Sequence, residues 1–315
     1  MVDPFVLPEP GFHSIAAELY HADPCPTPSL SGSIAVPLVT RSPRHAWYRH
    51  TRLNPDAEPF EPSPQMQFGS VCHRLLLGAG PDIEIIDADD WKTKAAREAR
   101  DAAAANGRLP ILGKDQLRAT QMAEVASAKL NAALGPGWND GRAELTMTWR
   151  EGREWCRGMM DFVSADCSLV LDYKTTGANA RPDEIERHFF DMHYHLKAAF
   201  YERGLDVLDP GNIGRRRFVF LFQETEPPFE CSLIMPGEGG MMVGRKQATY
   251  AITRWQHCMA ANDWPGYGNT IHRAAMPSWA EQRWLERELN DPHATGATSP
   301  DDLMPVYPIH GNKGF

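Results

Sequence analysis

R-G-M-M-D-F-V at residues 157–163 and L-V-L-D-Y-K-T-T at residues 169–176 decide how this chain is read. Both runs are short, apolar and rich in Val, Leu and Met, with polar residues between them, which predicts two neighbouring strands. Asp161 ends the first apolar run, Asp172 ends the second, and Lys174 follows Asp172 with one residue between. Residues two apart on a strand point to the same face, so Asp172 and Lys174 share one. If the strands are adjacent, Asp161, Asp172 and Lys174 meet at one end of a sheet.

Two converging carboxylates make a hard, oxygen-rich site suited to Mg²⁺. An ammonium beside them can orient or deprotonate a water and neutralise charge developing on a phosphate. Metal-assisted phosphodiester hydrolysis needs that combination. An Asp at a strand end followed by Lys is also common surface chemistry, so the neighbouring segments have to decide.

Just upstream, A-E-L-T-M-T-W at 143–149 alternates as a strand does, R-E-G-R at 150–153 reads as a turn, and 154–163 returns as the second strand of a hairpin. Glu144 either adds a carboxylate to the site or is an ordinary strand charge, and the sequence leaves both open. Residues 66–77, M-Q-F-G-S-V-C-H-R-L-L-L, predict a helix with Met66, Val71, Leu75 and Leu76 on its apolar side and His73 within it. Downstream, 182–204 predicts one helix beginning at Pro182 and closed by Gly204. Tyr194, Lys197 and Tyr201 share one of its faces, with packing against the sheet as the plain alternative; His193 and His195 point elsewhere.

In this context the chain resembles the PD-(D/E)xK nuclease superfamily. G-x-x-D followed by an apolar strand into D-x-K-T-T looks like its core, and the nearest resemblance is to the exodeoxyribonuclease VIII (RecE-type) branch of phages and prophages. The core of that branch is shared with the RecB nuclease domain and λ exonuclease. Residues 66–77 resemble the family's F-G-x-x-x-H helix, and 194–201, Y-H-L-K-A-A-F-Y, its Q-x-x-x-Y helix. Residues 29–47 resemble its opening, a Ser-rich start before a helix and then S-P-x-H-[AY]-[WY]. One departure stands out: Lys197 takes the place of the family's Gln, while Tyr201 keeps its position.

The resemblance implies a mixed α/β fold, the restriction-endonuclease-like core with a central sheet flanked by helices and an N-terminal helical elaboration. It also implies a Mg²⁺-dependent, ATP-independent exonuclease on linear double-stranded DNA, with Mn²⁺ as a substitute metal. His73, Asp161, Asp172 and the Tyr173 carbonyl are expected to hold the metal. Lys174 is expected to act on the attacking water, and Thr175, Lys197 and Tyr201 to meet DNA. The family further implies 5′→3′ resection, a single-strand annealing protein as a partner, and a homo-oligomeric ring around DNA. The alternatives are a structure-specific endonuclease or nickase on the same core, or a catalytically silent DNA-binding assembly protein.

Composition sets the outer bounds. The chain has 315 residues, 42% hydrophobic and 23% charged, with a formal net charge of −9. Such a charge gives no global attraction to DNA, and the local field at a groove decides approach instead. Arginines 41, 44, 49 and 52 recur near His45 and His50, and 215–217 form a basic run; each is a solvated face or a phosphate contact. The six cysteines have no C-x₂-C spacing, so neither zinc nor an iron–sulfur cluster is expected, and scattered thiols suit a reducing cytoplasm. No signal peptide, membrane span or Walker A motif is read. Residues 1–28, with six prolines, predict an extended arm. Residues 29–267 predict the nuclease domain, and 268–315 a partly flexible extension.

Overall fold

The computed structural model describes residues 5–57, 62–291 and 294. The chain divides into two compact units, residues 1–267 and 268–315. The first unit begins with β1 (Gly11–His13), α1 (Ala17–His21), β2 (Ser29–Ser31), α2 (Gly32–Thr40), α3 (Pro43–Arg49) and α4 (Pro64–Leu77). A small layer follows: β3 (Ile83–Ile86), α5 (Lys94–Ala105), β4 (Leu109–Leu112) and α6 (Gly113–Leu134). The central strands are β5 (Gly141–Glu151), β6 (Glu154–Ser164) and β7 (Leu169–Thr176), then α7 (Pro182–Asp191), α8 (Tyr194–Leu208), β8 (Arg217–Glu224), β9 (Cys231–Ile234) and α9 (Glu238–Ala261). In the second unit α10 (Ser278–Asn290) has no buried residue. The expectation of flexibility at the C-terminus falls mostly on residues 292–315, which apart from 294 lie outside the described residues.

The main sheet is mixed, in the order β1-β5-β6-β7-β8-β9, with β2 also paired to β6. Strands β5, β6 and β7 are antiparallel neighbours, and β7 and β8 are parallel through the α7–α8 crossover. Each face of the sheet carries its own core. One gathers Leu30, Met147, Trp149, Met160, Phe200, Phe220 and Trp255 under α2, α8 and α9. The other gathers Val71, Met122, Leu130, Phe162, Leu171, Tyr173 and Leu221 under α4 and α6. The alternation of β7 follows from this: Leu169, Leu171 and Tyr173 enter the second core, leaving Asp172 and Lys174 on the opposite face.

One edge of β6 has two partners. Residues 155–157 pair with β2, and residues 162–163 pair with β7. Between them, Gly158 to Asp161 are left without a ladder partner on that edge. The R-G-M-M-D run therefore spans a fork in the sheet.

Two sequence expectations change. Residues 182–204 are not one helix: the chain breaks at Met192–His193, where His193 takes a left-handed φ of 57°. The break lets α7 lie against β9 while α8 runs on under β5 and β6. Gly204 does not close the helix but sits inside α8, where an added Cβ would lie 2.7 Å from the Trp149 ring. Residues 5–28, expected as part of an extended arm, carry β1 and α1 and are tied to the sheet. Gly11–His13 pair with β5, and Asp23 is buried. Its carboxylate accepts from the Ser29 amide at 2.9 Å and the Ser29 hydroxyl at 2.6 Å, and lies 3.1 Å from Arg157. A buried charge held by that many donors fixes its segment to the sheet. Among the described residues, no helix is long and apolar enough to cross a membrane.

Candidate active site at the fork of the sheet

The site lies where β6 and β7 part. Their pairing ends at Phe162↔Leu171, and by the same register Asp161 stands opposite Asp172. Beyond that pair a backbone amide of β7 loses its cross-strand acceptor, and a buried amide needs another. Asp161 supplies it: its Oδ2 accepts from the Tyr173 N–H at 2.9 Å. The divergence of the strands thus fixes one carboxylate and opens room beside it.

Lys174 joins the two acids. Its Nζ lies 3.4 Å from Asp161 Oδ2, ion-pairs with Asp172 Oδ1 and donates to the Tyr173 carbonyl at 3.1 Å. Lys197 reaches in from α8 and ion-pairs with the other oxygen of Asp172, Oδ2. Its ammonium also lies 5.3 Å from the centre of the Tyr201 ring. The Tyr201 hydroxyl donates to the Met159 carbonyl at 2.9 Å, which satisfies an acceptor in the unpaired stretch of β6. Tyr201 needs Gly158 for this, because a Cβ there would come within 2.8 Å of its ring. The glycine of G-x-x-D is therefore a space requirement of the tyrosine on α8.

His73 arrives from the other layer. Its Nε2 lies 2.8 Å from the Tyr173 carbonyl, its Nδ1 3.7 Å from Asp161 Oδ2, and its ring stacks on that of Tyr173 with centroids 4.9 Å apart. Gly69, one turn earlier on α4, faces Thr175, whose Oγ1 would sit 3.2 Å from an added Cβ. Thr175 is thereby held at the rim of the site. Tyr194 packs with Phe189, Phe220 and Phe222 and feels the charges of Lys174, Asp172 and Lys197.

Glu144 stands opposite Asp161, between the pairs Ala143↔Phe162 and Leu145↔Met160. Its φ of 48° is left-handed, so it is not an ordinary ladder residue. An added Cβ on Gly80 would lie 2.8 Å from Glu144 Oε1. Burial, and then the Asp161 charge, push its carboxyl above the usual range. It is the site's third carboxylate, close enough to feel Asp161.

The electrostatics separate the groups. Burial pushes the Asp161 carboxyl up, but Lys174 first, then His73 and Lys197, overcome this and hold it well below the usual carboxylate range. Burial depresses His73, against the pull of Asp161, so the imidazole is neutral at pH 7. Burial also works against the charged form of both lysines, and the carboxylates reverse it, raising both. The site thus sets two ammonium groups against the Asp161 and Asp172 side chains, with Glu144 as a further acid beside Asp161.

Among the described residues, no three His, Cys, Asp or Glu side chains stand together as a ready-made metal cluster, and both oxygens of Asp172 face ammonium groups. The chemistry of the donor set still fits a hard dication: two carboxylates, a neutral imidazole and a carbonyl. The Tyr173 carbonyl accepts from both His73 and Lys174.

Two arginines of the basic clusters serve the fold. Arg52 donates to the Cys25 carbonyl at 2.6 Å and the Asp23 carbonyl at 3.2 Å, and so secures the N-terminal segment. Arg216 is buried against Asp206 and Asp209 beside the start of β8, at the opposite end of the strand from the site. All six cysteines are free and buried, and burial pushes Cys72 and Cys231 up to about 12. Sequence reasoning did not find Tyr20, which is buried with Arg157 over its ring at 5.4 Å and feels the charge of Lys197. No motif marks it. Nor did it find the structural reason for Gly69 and Gly158, although both stand in the quoted motifs.

No curated protein matches the sequence. Among solved structures, one from Eubacterium rectale described as a "putative exonuclease" is similar over 89% of this chain and 99% of its own, with a TM-score of 0.51 and 11% identity. That likeness concerns the fold. The crystal structure of SSO0001 covers 63% of this chain and 96% of its own at a TM-score of 0.25 and 13% identity, too distant to bear on the argument. A family model matches residues 40–274, from the end of α2 past α9, and so includes the fork, both carboxylates and both lysines. The chain belongs to the PDDEXK-like domain family of unknown function, DUF3799.

Proposed function

We propose that this chain is a divalent-metal-dependent deoxyribonuclease that degrades linear double-stranded DNA from its ends. The observation that carries the reading is the pairing of Asp161 and Asp172 across the parting of β6 and β7, with Lys174 between them. A nuclease core is what the family provides; the exonuclease mode rests on the RecE-type resemblance and the description of the Eubacterium rectale protein.

His73, Asp161, Asp172 and the Tyr173 carbonyl would hold the metal, Mg²⁺ with Mn²⁺ as a substitute, which when bound would polarise the phosphate and lower the pKa of a water. Asp161 holds the end of β7 in place through the Tyr173 amide. Neutral His73 presents a lone pair rather than a repelling charge. Lys174 sits beside both acids, placed to orient the attacking water and to offset charge on the pentavalent phosphorus. Thr175 would meet the DNA backbone, whereas Tyr201, expected beside it, is buried with its hydroxyl on the Met159 carbonyl and supports the site from within. The resemblance adds 5′→3′ polarity, a ring oligomer and a single-strand annealing partner, and calls for no ATP.

The test is a cleavage assay with purified protein and Mg²⁺ on linear and covalently closed duplex DNA. Linear DNA should fall to mononucleotides while closed circles persist. Prompt nicking of supercoiled circles would instead make it an endonuclease, and no cleavage under any divalent metal would make it a silent binding protein.

A further inference from the structure

Asp172 does not face open space. One of its oxygens meets Lys174 and the other meets Lys197. The two lysines differ in what else holds them. Lys174 belongs to the same strand as Asp172 and is also held by Asp161 and the Tyr173 carbonyl. Lys197 comes from α8, a separate element, and Asp172 is its one ion-pair partner among the described residues. While paired with Asp172 its ammonium also lies 5.3 Å from the centre of the Tyr201 ring, a cation–π contact that does not depend on Asp172. A lysine stem is flexible and its charge is a point charge, so such a contact exchanges without disturbing the fold.

We propose that Lys197 is a built-in cation that competes with the divalent metal for Asp172, and so keeps the affinity of the resting site for metal low. This inference rests on the metal-dependent reading above. The charge count argues for it. Two ammonium groups already offset the charges of Asp161 and Asp172, so an entering dication meets little of the attraction those two carboxylates would otherwise give it. It must displace Lys197 from Asp172 Oδ2 or accept a fixed positive charge within a few ångströms. A neutral residue at position 197 leaves the same ligands with one uncompensated negative charge. The displaced ammonium keeps the Tyr201 ring face, and from there it is free for an incoming phosphate. Lys197 is thus a positioning residue for the metal before it is a DNA contact.

The experiment is calorimetric titration of Mn²⁺ alone into the full chain, without DNA, for wild type, K197M, K197Q and K197R, with D172N as control. Melting curves confirm that each variant is folded, and K197Q serves should K197M fail to fold. K197M and K197Q should bind Mn²⁺ at least tenfold more tightly than wild type, while K197R, which keeps the charge, stays within threefold. Affinities of K197M and K197Q within threefold of wild type overturn the proposal. The reading beneath it fails in a different way: if D172N binds Mn²⁺ as wild type does, the metal does not sit at Asp172, whatever position 197 does.

Discussion

Two charged clusters lie along β6, four residues apart, and their differences separate structure from chemistry. At Arg157 the buried carboxylate of Asp23 is held by a backbone amide, a hydroxyl and a guanidinium, and His50 stands 3.4 Å away. Burial opposes that charge, yet His50, Arg157 and Ser29 together hold the carboxyl below its usual value. The Ser29 hydroxyl is in turn gripped by Arg157 at 2.6 Å. These donors are planar or anchored, and none can leave without unmaking β2. At Asp161 and Asp172 the donors are mostly ammonium groups on flexible stems, about a quarter exposed. Asp172 Oδ1 meets Lys174 as an ion pair but accepts no hydrogen bond of good geometry. The first cluster is closed by geometry and serves the fold. The second is held mostly by charge, with the Tyr173 amide as a backbone donor to Asp161, and its lysine partners can be exchanged.

The comparison breaks most readily at Asp172. D172N should lose more than about 10⁴-fold in Mg²⁺-dependent cleavage, over ~5 kcal/mol of barrier, while denaturant melts show a smaller stability loss than D23N because both lysines, about a quarter exposed, can turn to solvent. Cleavage near the wild-type rate would remove Asp172 from the site. D23N should do the reverse, costing ~3–5 kcal/mol of stability by leaving Arg157 buried against a poorer partner. A melt unchanged in D23N would mean that the first cluster is as exchangeable as the second.

Lys174 comes next. K174M should retain Mn²⁺ binding in calorimetry yet lose about 3–4 kcal/mol of transition-state stabilisation in single-turnover rates. Parallel loss of metal binding would make the lysine structural. Smaller again is G158A, which presses a methyl onto Tyr201 and Met147 and should cost about 1–3 kcal/mol of stability by overpacking. Normal stability there would show that Tyr201 has room to retreat.

The smallest effects are those of pH, and the two clusters should answer in different windows. Asp23 has a depressed folded pKa, so its contribution is present above the unfolded carboxyl value of about 3.9 and is lost as pH falls through the folded value. His73 is depressed for the opposite reason, being buried neutral. Below about 6.5 the unfolded chain takes a proton that the folded one resists, so stability begins to fall there. H73Q should flatten the metal-free stability profile below about pH 6.5 and leave the steep loss near pH 4 in place. Identical profiles for H73Q and wild type would mean that His73 titrates normally.

Much of this was legible from local pattern. The alternation of 143–149 and the two apolar runs gave the three central strands and put Asp161, Asp172 and Lys174 together. His73 was legible through its F-G-x-x-x-H setting, whose glycine proves to make room beside Thr175. The break at His193 was not legible, because no glycine or proline marks it and the left-handed turn is imposed by packing α7 and α8 against different strands. The polar pin of the N-terminal segment was equally hidden. Asp23 and Arg157 are far apart in sequence, and only the β2–β6 pairing makes them partners.

Lys197 marks the boundary most clearly. The sequence determined that a positive charge stands on the same helical face as Tyr201, since helical period alone sets that. Period says nothing about what lies across from a face. The expectation from sequence was a DNA phosphate. The fold places Asp172 there first, because the crossover between the parallel strands β7 and β8 lays α8 over the parting of β6 and β7. Residue type and spacing are local properties and can be read along the chain. Which charges balance one another is a property of distance through space, and here it was settled only when three strands and two helices met at the fork.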